Sequence, residues 1–353
     1  MKGIWRRGGK RNLIASALNA AYFVSRAGLM RHARGRGAIF TLHHVRPLQQ
    51  SWFEPNAHLE VTPEFLDATI RKLRSEGYDF VRLDEVPARL QSSSTTPFAA
   101  FTLDDGYYDN VEHALPVFER HGVPFTIFIT RGFSERTHSL WWEVLEEILP
   151  QRDSLEFDFG QGPETIDLST SVRVQDCFKR FVRYVWDNDE AEAVTQIEAL
   201  ARRYGIDPLA LTAKLVMGPD DLKRLVEHPL ACLGAHTISH RAISRLSAED
   251  ARAELQASAD WLEQLTGERP ATFAFPYGTR EAVSARDIAI ARELGFSVAV
   301  LTQPGTLCEQ SMAKLTGLPR ISLNGYFQRP KYVSALASGL PFLATRRKTT
   351  GTS

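Results

Sequence analysis

The chain has 353 residues, 43% hydrophobic and 24% charged, enough for one large domain or two ordinary ones. Lysine plus arginine equals aspartate plus glutamate at 42 each, which excludes a uniformly basic nucleic-acid binder and an acidic disordered chain. Three cysteines, Cys177, Cys232 and Cys308, stand far apart; they argue against a disulfide scaffold or thiolate zinc knuckle and for a reducing compartment.

The neutral total hides a basic N-terminus. Residues 1–53 contain no acidic residue, whereas Lys2, Arg6, Arg7, Lys10, Arg11, Arg26, Arg31, Arg34 and Arg36 are basic. The apolar run at residues 13–24 falls short of the ~20 residues that a spanning helix needs. Ala15-Ser16-Ala17 has the small side chains of a signal-peptide cleavage site, but it lies inside the apolar run, which argues against cleavage. Two readings of residues 1–36 stay open: an amphipathic helix lying on an anionic membrane surface, or a helix packed on the outside of the domain. The expected location is cytoplasmic, at the inner membrane surface under the first reading.

Short apolar runs rich in β-branched and aromatic residues predict buried strands at 38–43, 98–103, 124–129, 231–235, 272–275 and 296–301. Helical periodicity predicts helices at 63–76, 111–120, 248–265 and 282–294. Gly77, Gly122, Gly267 and Gly295 stand just past their ends. Ser247, with Asp250 three residues on, suits an N-cap. Strands alternating with helices imply parallel βαβ units, closed into a barrel or left as an open sheet. The domain is expected over 37–330, with 134–229 as a helical insertion on its rim and 343–353 as a disordered tail.

Chemistry-bearing residues collect where apolar runs end. Thr102-Leu103-Asp104-Asp105-Gly106 places two carboxylates at a strand's C-terminal end, the side on which parallel α/β architectures hold their sites. Neighbours in extended backbone point oppositely, so the two aspartates need different partners unless the chain bends. His236 and His240, four apart, can hold one divalent ion together with a carboxylate from elsewhere. Phe275-Pro276-Tyr277-Gly278 and Thr41-Leu42-His43-His44 also follow apolar runs. Each alone reads as a turn or a core histidine.

In this order the segments resemble the polysaccharide deacetylase family, also called the NodB-homology or carbohydrate esterase 4 family. Thr102-Leu103-Asp104-Asp105-Gly106 is similar to its Thr-Phe-Asp-Asp-Gly motif, and His236-Thr237-Ile238-Ser239-His240 matches its His-Ser/Thr-x-x-His motif. Phe275-Pro276-Tyr277-Gly278 resembles the third motif, which often begins with an arginine where this chain has Ala274 and Phe275. Leu318-Pro319-Arg320-Ile321 resembles a late strand of some branches. The likeness spans residues 37–133 and 230–323.

The resemblance implies an α/β fold, a distorted (β/α) barrel of about seven strands. It implies a metal-dependent hydrolase that removes N-acetyl groups from amino-sugar units of a polysaccharide or oligosaccharide. Asp105, His236 and His240 would bind a divalent metal, zinc being the first choice for imidazole-rich ligation. Asp104 would be the general base, and the backbone N–H of Tyr277 would face the oxyanion. In the family a histidine protonates the departing amine, often from a late motif, but no histidine follows His240 here; the resemblance of Leu42-His43 to the early histidine of some branches implies His43 as general acid, with His44 as the fallback. Arg320 would replace the missing arginine that orients the base. The expected partner is a glycan, with no nucleic acid and with peripheral membrane contact. Two alternatives are a deformylase of a lipid-linked amino sugar and a non-catalytic glycan-binding barrel, with Trp52, Trp141 and Trp142 stacking on sugar rings in either case.

Overall fold

The computed structural model describes residues 2–48 and 51–343, less the side chains of residues 2–8, 10 and 31. From residue 344 on, the expected disordered tail lies outside the described residues.

The central sheet contains β1 (Gly37–Leu42), β2 (Asp79–Phe80), β3 (Phe98–Leu103), β4 (Phe125–Ile129), β5 (Ala231–Ala235), β6 (Thr272–Ala274), β7 (Val298–Val300) and β8 (Ile321–Ser322). All pairings are parallel, in the order β7-β6-β5-β4-β3-β1-β8, and β2 joins the start of β3. The two ends of this path approach each other before β8. The Leu301 N–H donates to the Leu318 carbonyl, and the Leu318 N–H to the Ala299 carbonyl, both at 2.9 Å. The sheet thus curls into the distorted barrel that the alternation of elements left undecided.

The helices used below are α1 (Lys2–Arg26), α2 (Pro63–Ser75), α3 (Leu115–His121), α4 (Trp141–Ile148), α5 (Ser171–Asp187), α6 (Glu190–Arg203), α7 (Ala248–Thr266), α8 (Ala285–Glu293) and α9 (Pro330–Ala337). Their ends follow local chemistry. The Thr62 side chain accepts from the Phe65 N–H ahead of Pro63 in α2, and Ser247 accepts from the Asp250 N–H in α7. Gly267, at φ 80°, ends α7 in a left-handed turn.

Each strand sorts its side chains with period two. Phe40, Leu42, Phe101, Leu103, Phe125 and Ile127 face outward and pack with Phe65, Leu66 and Ile70 of α2 and Phe118 of α3. Ile39, Ala100, Phe128, Ala274, Val298 and Val300 fill the barrel interior. At the C-terminal ends the inward positions turn polar.

The insertion is mainly helical and has a core of its own, which includes Leu145, Phe157, Phe178, Phe181 and Ile197. It also holds an antiparallel hairpin, Ser154–Asp158 with Pro163–Asp167, in a stretch whose composition reads as merely polar. Buried Leu155 and Phe157 alternate there with exposed neighbours, the pattern of a strand covered on one face. Helix α1 extends well before the apolar run and packs on α9, where Leu18, Tyr332 and Ala335 are buried together. Among the described residues, no helix is long and apolar enough to cross a membrane.

Gly234, inside β5, is where a side chain cannot enter. A Cβ there would stand 2.5 Å from the Phe128 ring and 2.8 Å from Thr272 Oγ1. Gly234→Val is expected to lower stability by about 1–3 kcal/mol through overpacking, read from a urea denaturation midpoint. An unchanged midpoint would show that the barrel interior yields at this point.

Candidate active site

Period two continues past the strand ends and selects the residues that enter the barrel mouth. Asp104 follows Thr102 on the inward side, His236 follows Gly234, and His43 follows Thr41. Arg320, just before β8, also points in and is fully buried. Its Nη1 and Nη2 donate to Asp104 Oδ1 and Oδ2 at 2.7 and 2.6 Å. Nη1 also reaches Thr102 Oγ1 and Nε reaches the Leu301 carbonyl, both at 3.0 Å. Burial pushes the Asp104 carboxyl up, but the charge and paired hydrogen bonds of Arg320 outweigh it and hold it below its ordinary range.

Asp105 would point away from the mouth if the strand continued. Instead the backbone bends, with φ 73° at Asp105 and 75° at Gly106, and returns the carboxylate to the site. Asp105 Oδ1 lies 3.2 Å from His240 Nε2 and 3.5 Å from His236 Nε2. Burial would raise this carboxyl, yet the charge of the facing His240 outweighs it and holds it well below the usual range. His236 Nδ1–H donates to the Ala274 carbonyl at 2.6 Å, which turns its Nε2 lone pair inward. The loop carrying His240 is pinned from α7: Glu254 accepts from the Ile238 and Ser239 N–H groups at 2.8 and 3.0 Å.

This set fits a divalent cation. One atom from each of Asp105, His236 and His240 lies within 4.8 Å of the others, and all three residues are buried. Asp105 Oδ1 has no hydrogen-bond partner among the described residues, a costly state for a buried carboxylate oxygen unless a cation takes it.

Tyr277 has a left-handed backbone, φ 58°, and its ring stands edge-on to His240 at 5.1 Å. Its N–H has no acceptor among the described residues, while its carbonyl accepts from Thr302 Oγ1 at 2.6 Å. The hydroxyl donates to Glu190 Oε1 at 2.6 Å and receives Trp141 Nε1–H at 3.3 Å. Glu190 opens α6 and Trp141 opens α4, so the insertion holds this residue in place. The sequence reading did not single out Glu190. Its one local signal is an acidic pair, Asp189-Glu190, at a helix start.

The two adjacent histidines separate by the same period. His43 lines the cavity with Nε2 3.9 Å from Asp104 Oδ2, and burial, outweighing the two aspartates, lowers its pKa. His44 points away and lies outside the cavity lining. Its Nδ1 bonds Asp109 Oδ2 at 2.5 Å, its ring lies tilted by 34° against Tyr107 with centroids 3.6 Å apart, and Nε2 faces Glu143 Oε1 at 3.5 Å. Burial alone would lower its pKa, but Asp109 and Glu143 raise it to about 9. The fallback assignment of His44 as acid is therefore corrected: its proton is held behind the site.

His43, Asp104, Asp105, His236, His240 and Tyr277 line a cavity of about 610 Å³. Trp141, Trp142 and, from α5, Phe178, Val182, Val185 and Trp186 supply its apolar wall. Trp52, expected as a stacking residue, lines a separate hollow.

The model of the family described as polysaccharide deacetylase matches residues 91–156 and 179–299, more than half of the chain. The chain belongs to the polysaccharide deacetylase family. This is a family of metal-dependent enzymes acting on the amide bonds of amino-sugar polymers. Solved structures share the fold. The deacetylase PplD of Streptococcus pyogenes, in complex with acetate, is 16% identical with a TM-score of 0.56, covering 85% of this chain and 97% of that one. IcaB from Ammonifex degensii is 15% identical with a TM-score of 0.53, covering 86% and 97%. BC0361, a polysaccharide deacetylase from Bacillus cereus, is 13% identical with a TM-score of 0.52, covering 85% and 68%. No curated protein matches the sequence.

Two outcomes follow from this geometry. Arg320→Ala is expected to lower kcat by about 10²-fold or more while metal content is retained, because the base loses its orientation. Arg320→Lys should recover part of the rate. Metal loss in both variants would instead make Arg320 a scaffold of the metal site. His44 and Glu146, the latter pushed up to about 8 by burial and by Glu143, both bind protons more tightly folded than unfolded. Stability should therefore fall as pH rises. The His44 contribution is complete below its ordinary 6.5 and lost through about 9, a decline on the order of 3 kcal/mol. In urea denaturation His44→Gln should be less stable than the parent below pH 6.5, with the deficit shrinking and its own profile flatter across that window.

Proposed function

We propose that this chain is a metal-dependent N-deacetylase of amino-sugar polymers or oligosaccharides, with zinc bound by Asp105, His236 and His240. The observation that carries the reading is the pairing of two acidic environments at one cavity floor. Asp104 is locked by Arg320, while Asp105 faces two imidazoles with an oxygen left unpartnered among the described residues.

A divalent cation bound there would lower the pKa of a neighbouring water toward ~7 and draw charge from the acyl oxygen. The protein side chains divide the remaining work. Asp104 stays ionised, and its bidentate bond to Arg320 leaves lone pairs free to take a proton from water. The Tyr277 N–H donates to the oxygen on which charge develops. An amide anion is a very poor leaving group, so the amine must receive a proton as it departs. His43 Nε2, 3.9 Å from Asp104 Oδ2, is placed to carry that proton from the base to the nitrogen. The faces of Trp141, Trp142 and Trp186 suit the apolar faces of sugar rings.

The test is metal analysis combined with an acyl-release screen on aminosugar polymers and their precursors. Asp104→Asn should keep its metal and lose about 10²–10⁴ in rate, whereas His236→Ala should lose both. Full activity in Asp104→Asn would remove it as base. Release of formate from lipid-linked sugars, without acetate from any glycan, would make the protein a deformylase. Glycan binding with no acyl release would make it a binding barrel.

A further inference from the structure

Helix α1 has two apolar faces. One, through Ala15, Leu18, Ala21 and Tyr22, packs against α9 and the segment around Phe327. The opposite one, through Leu13, Ala17, Ala20 and Phe23, is exposed, with Leu13 at 71% and Phe23 at 67%. Leu29 and Met30 continue the exposure beyond the helix. Five of the twelve large apolar side chains exposed among the described residues lie between positions 13 and 30. A helix that merely covers a soluble domain turns charge to the water. Here residues 12–25 carry none.

Charge is instead placed at the ends. Arg11 and Arg26 bracket the apolar face and are exposed, further lysines and arginines precede and follow them in sequence, and residues 1–53 hold no acid. An uncharged apolar strip between two basic ends suits an interface with an apolar interior and anionic headgroups. It suits an ordinary protein surface poorly, since a protein partner would have to bury the strip and also offer acidic groups at both ends.

The helix is also aimed. At its early end the Arg11 guanidinium stacks on the Tyr326 ring at 3.6 Å, and that ring lies 6.3 Å from His58, which lines the active-site cavity. At its late end Lys72 of α2 lies over Tyr22 at 5.7 Å. Helix α1 therefore runs from beside the cavity mouth along the flank of the barrel.

We propose that the outer face of α1 docks the protein on an anionic lipid bilayer and holds the cavity mouth beside the membrane surface. Only the consequence for substrate rests on the deacetylase reading: the glycan used is one presented at that surface.

Full-length protein would be sedimented with vesicles of phosphatidylcholine with and without phosphatidylglycerol, alongside Leu13→Glu/Phe23→Glu and Asp104→Asn. The expected result is binding that requires phosphatidylglycerol, weakens with salt, and drops about tenfold or more in the Leu13→Glu/Phe23→Glu protein. That variant should keep its thermal unfolding midpoint and its rate on a soluble oligosaccharide. Asp104→Asn should bind vesicles like the parent, so docking is scored even if the deacetylase reading fails. The proposal falls if neither vesicle binds, if the two acidic substitutions change nothing, or if they dissolve a dimer of the parent, which would give this face to a second copy of the chain.

Discussion

The buried pair of Asp104 and Arg320 is the constraint around which the barrel mouth is arranged. Neither charge could stay in the interior alone, because an unpaired buried ion costs several kcal/mol. Together they are satisfied by geometry: two parallel N–H donors meet two oxygens, while Thr102 and the Leu301 carbonyl take the remaining donors in reach. The partners are 216 residues apart and come from strands on either side of β1. The pair therefore bridges the mouth and marks a boundary. Below it the interior is aliphatic and aromatic, with the Phe128 ring 5.7 Å from the guanidinium; above it lies the cavity.

Fixing one carboxylate in this way leaves the other free for a different task. Asp104 and Asp105 are neighbours in sequence and both are held below the ordinary carboxylate range, but by different partners, one by a permanent cation and the other by two imidazoles. The separation depends on two consecutive left-handed residues, where the glycine at 106 adopts φ 75° freely and Asp105 is held by what it faces. A straight strand would have sent Asp105 into the outer layer, where His44, Asp109 and Glu143 form a charged network of their own.

The insertion and α1 give this floor its surroundings. With its own core, the insertion reaches back through Glu190 and Trp141 to fix the Tyr277 hydroxyl, and it walls the cavity with apolar side chains from α5. An apolar wall lowers the local dielectric and strengthens the interactions of the few polar groups inside. Among the described residues, helix α1 contributes none to the cavity lining, but it reaches toward the mouth through Arg11 on Tyr326.

Much of this was legible in the sequence because it is local. The run 98–103 is continuously apolar and ends in a carboxylate pair, and so declares a buried strand whose end carries polar chemistry, though not which aspartate faces inward; the spacing of His236 and His240 declares two ligands on one loop. The separation of His43 from His44 follows from the strand period of two, counted from Ile39 and Thr41. Arg320 could be nominated from the sequence as a replacement for a missing arginine, but its bond to Asp104 required the barrel to bring the edge strand β8 beside β1. Glu190 had no comparable signal, since its partner Tyr277 is 87 residues away and is met only when the insertion folds over the mouth. The sequence by itself determined the alternation of strands and helices and the kinds of side chain at their ends, because both depend on backbone period and short-range chemistry. Which of those ends converge was decided by the tertiary structure, because sheet curvature and closure sum over all the strands and are written in no single segment.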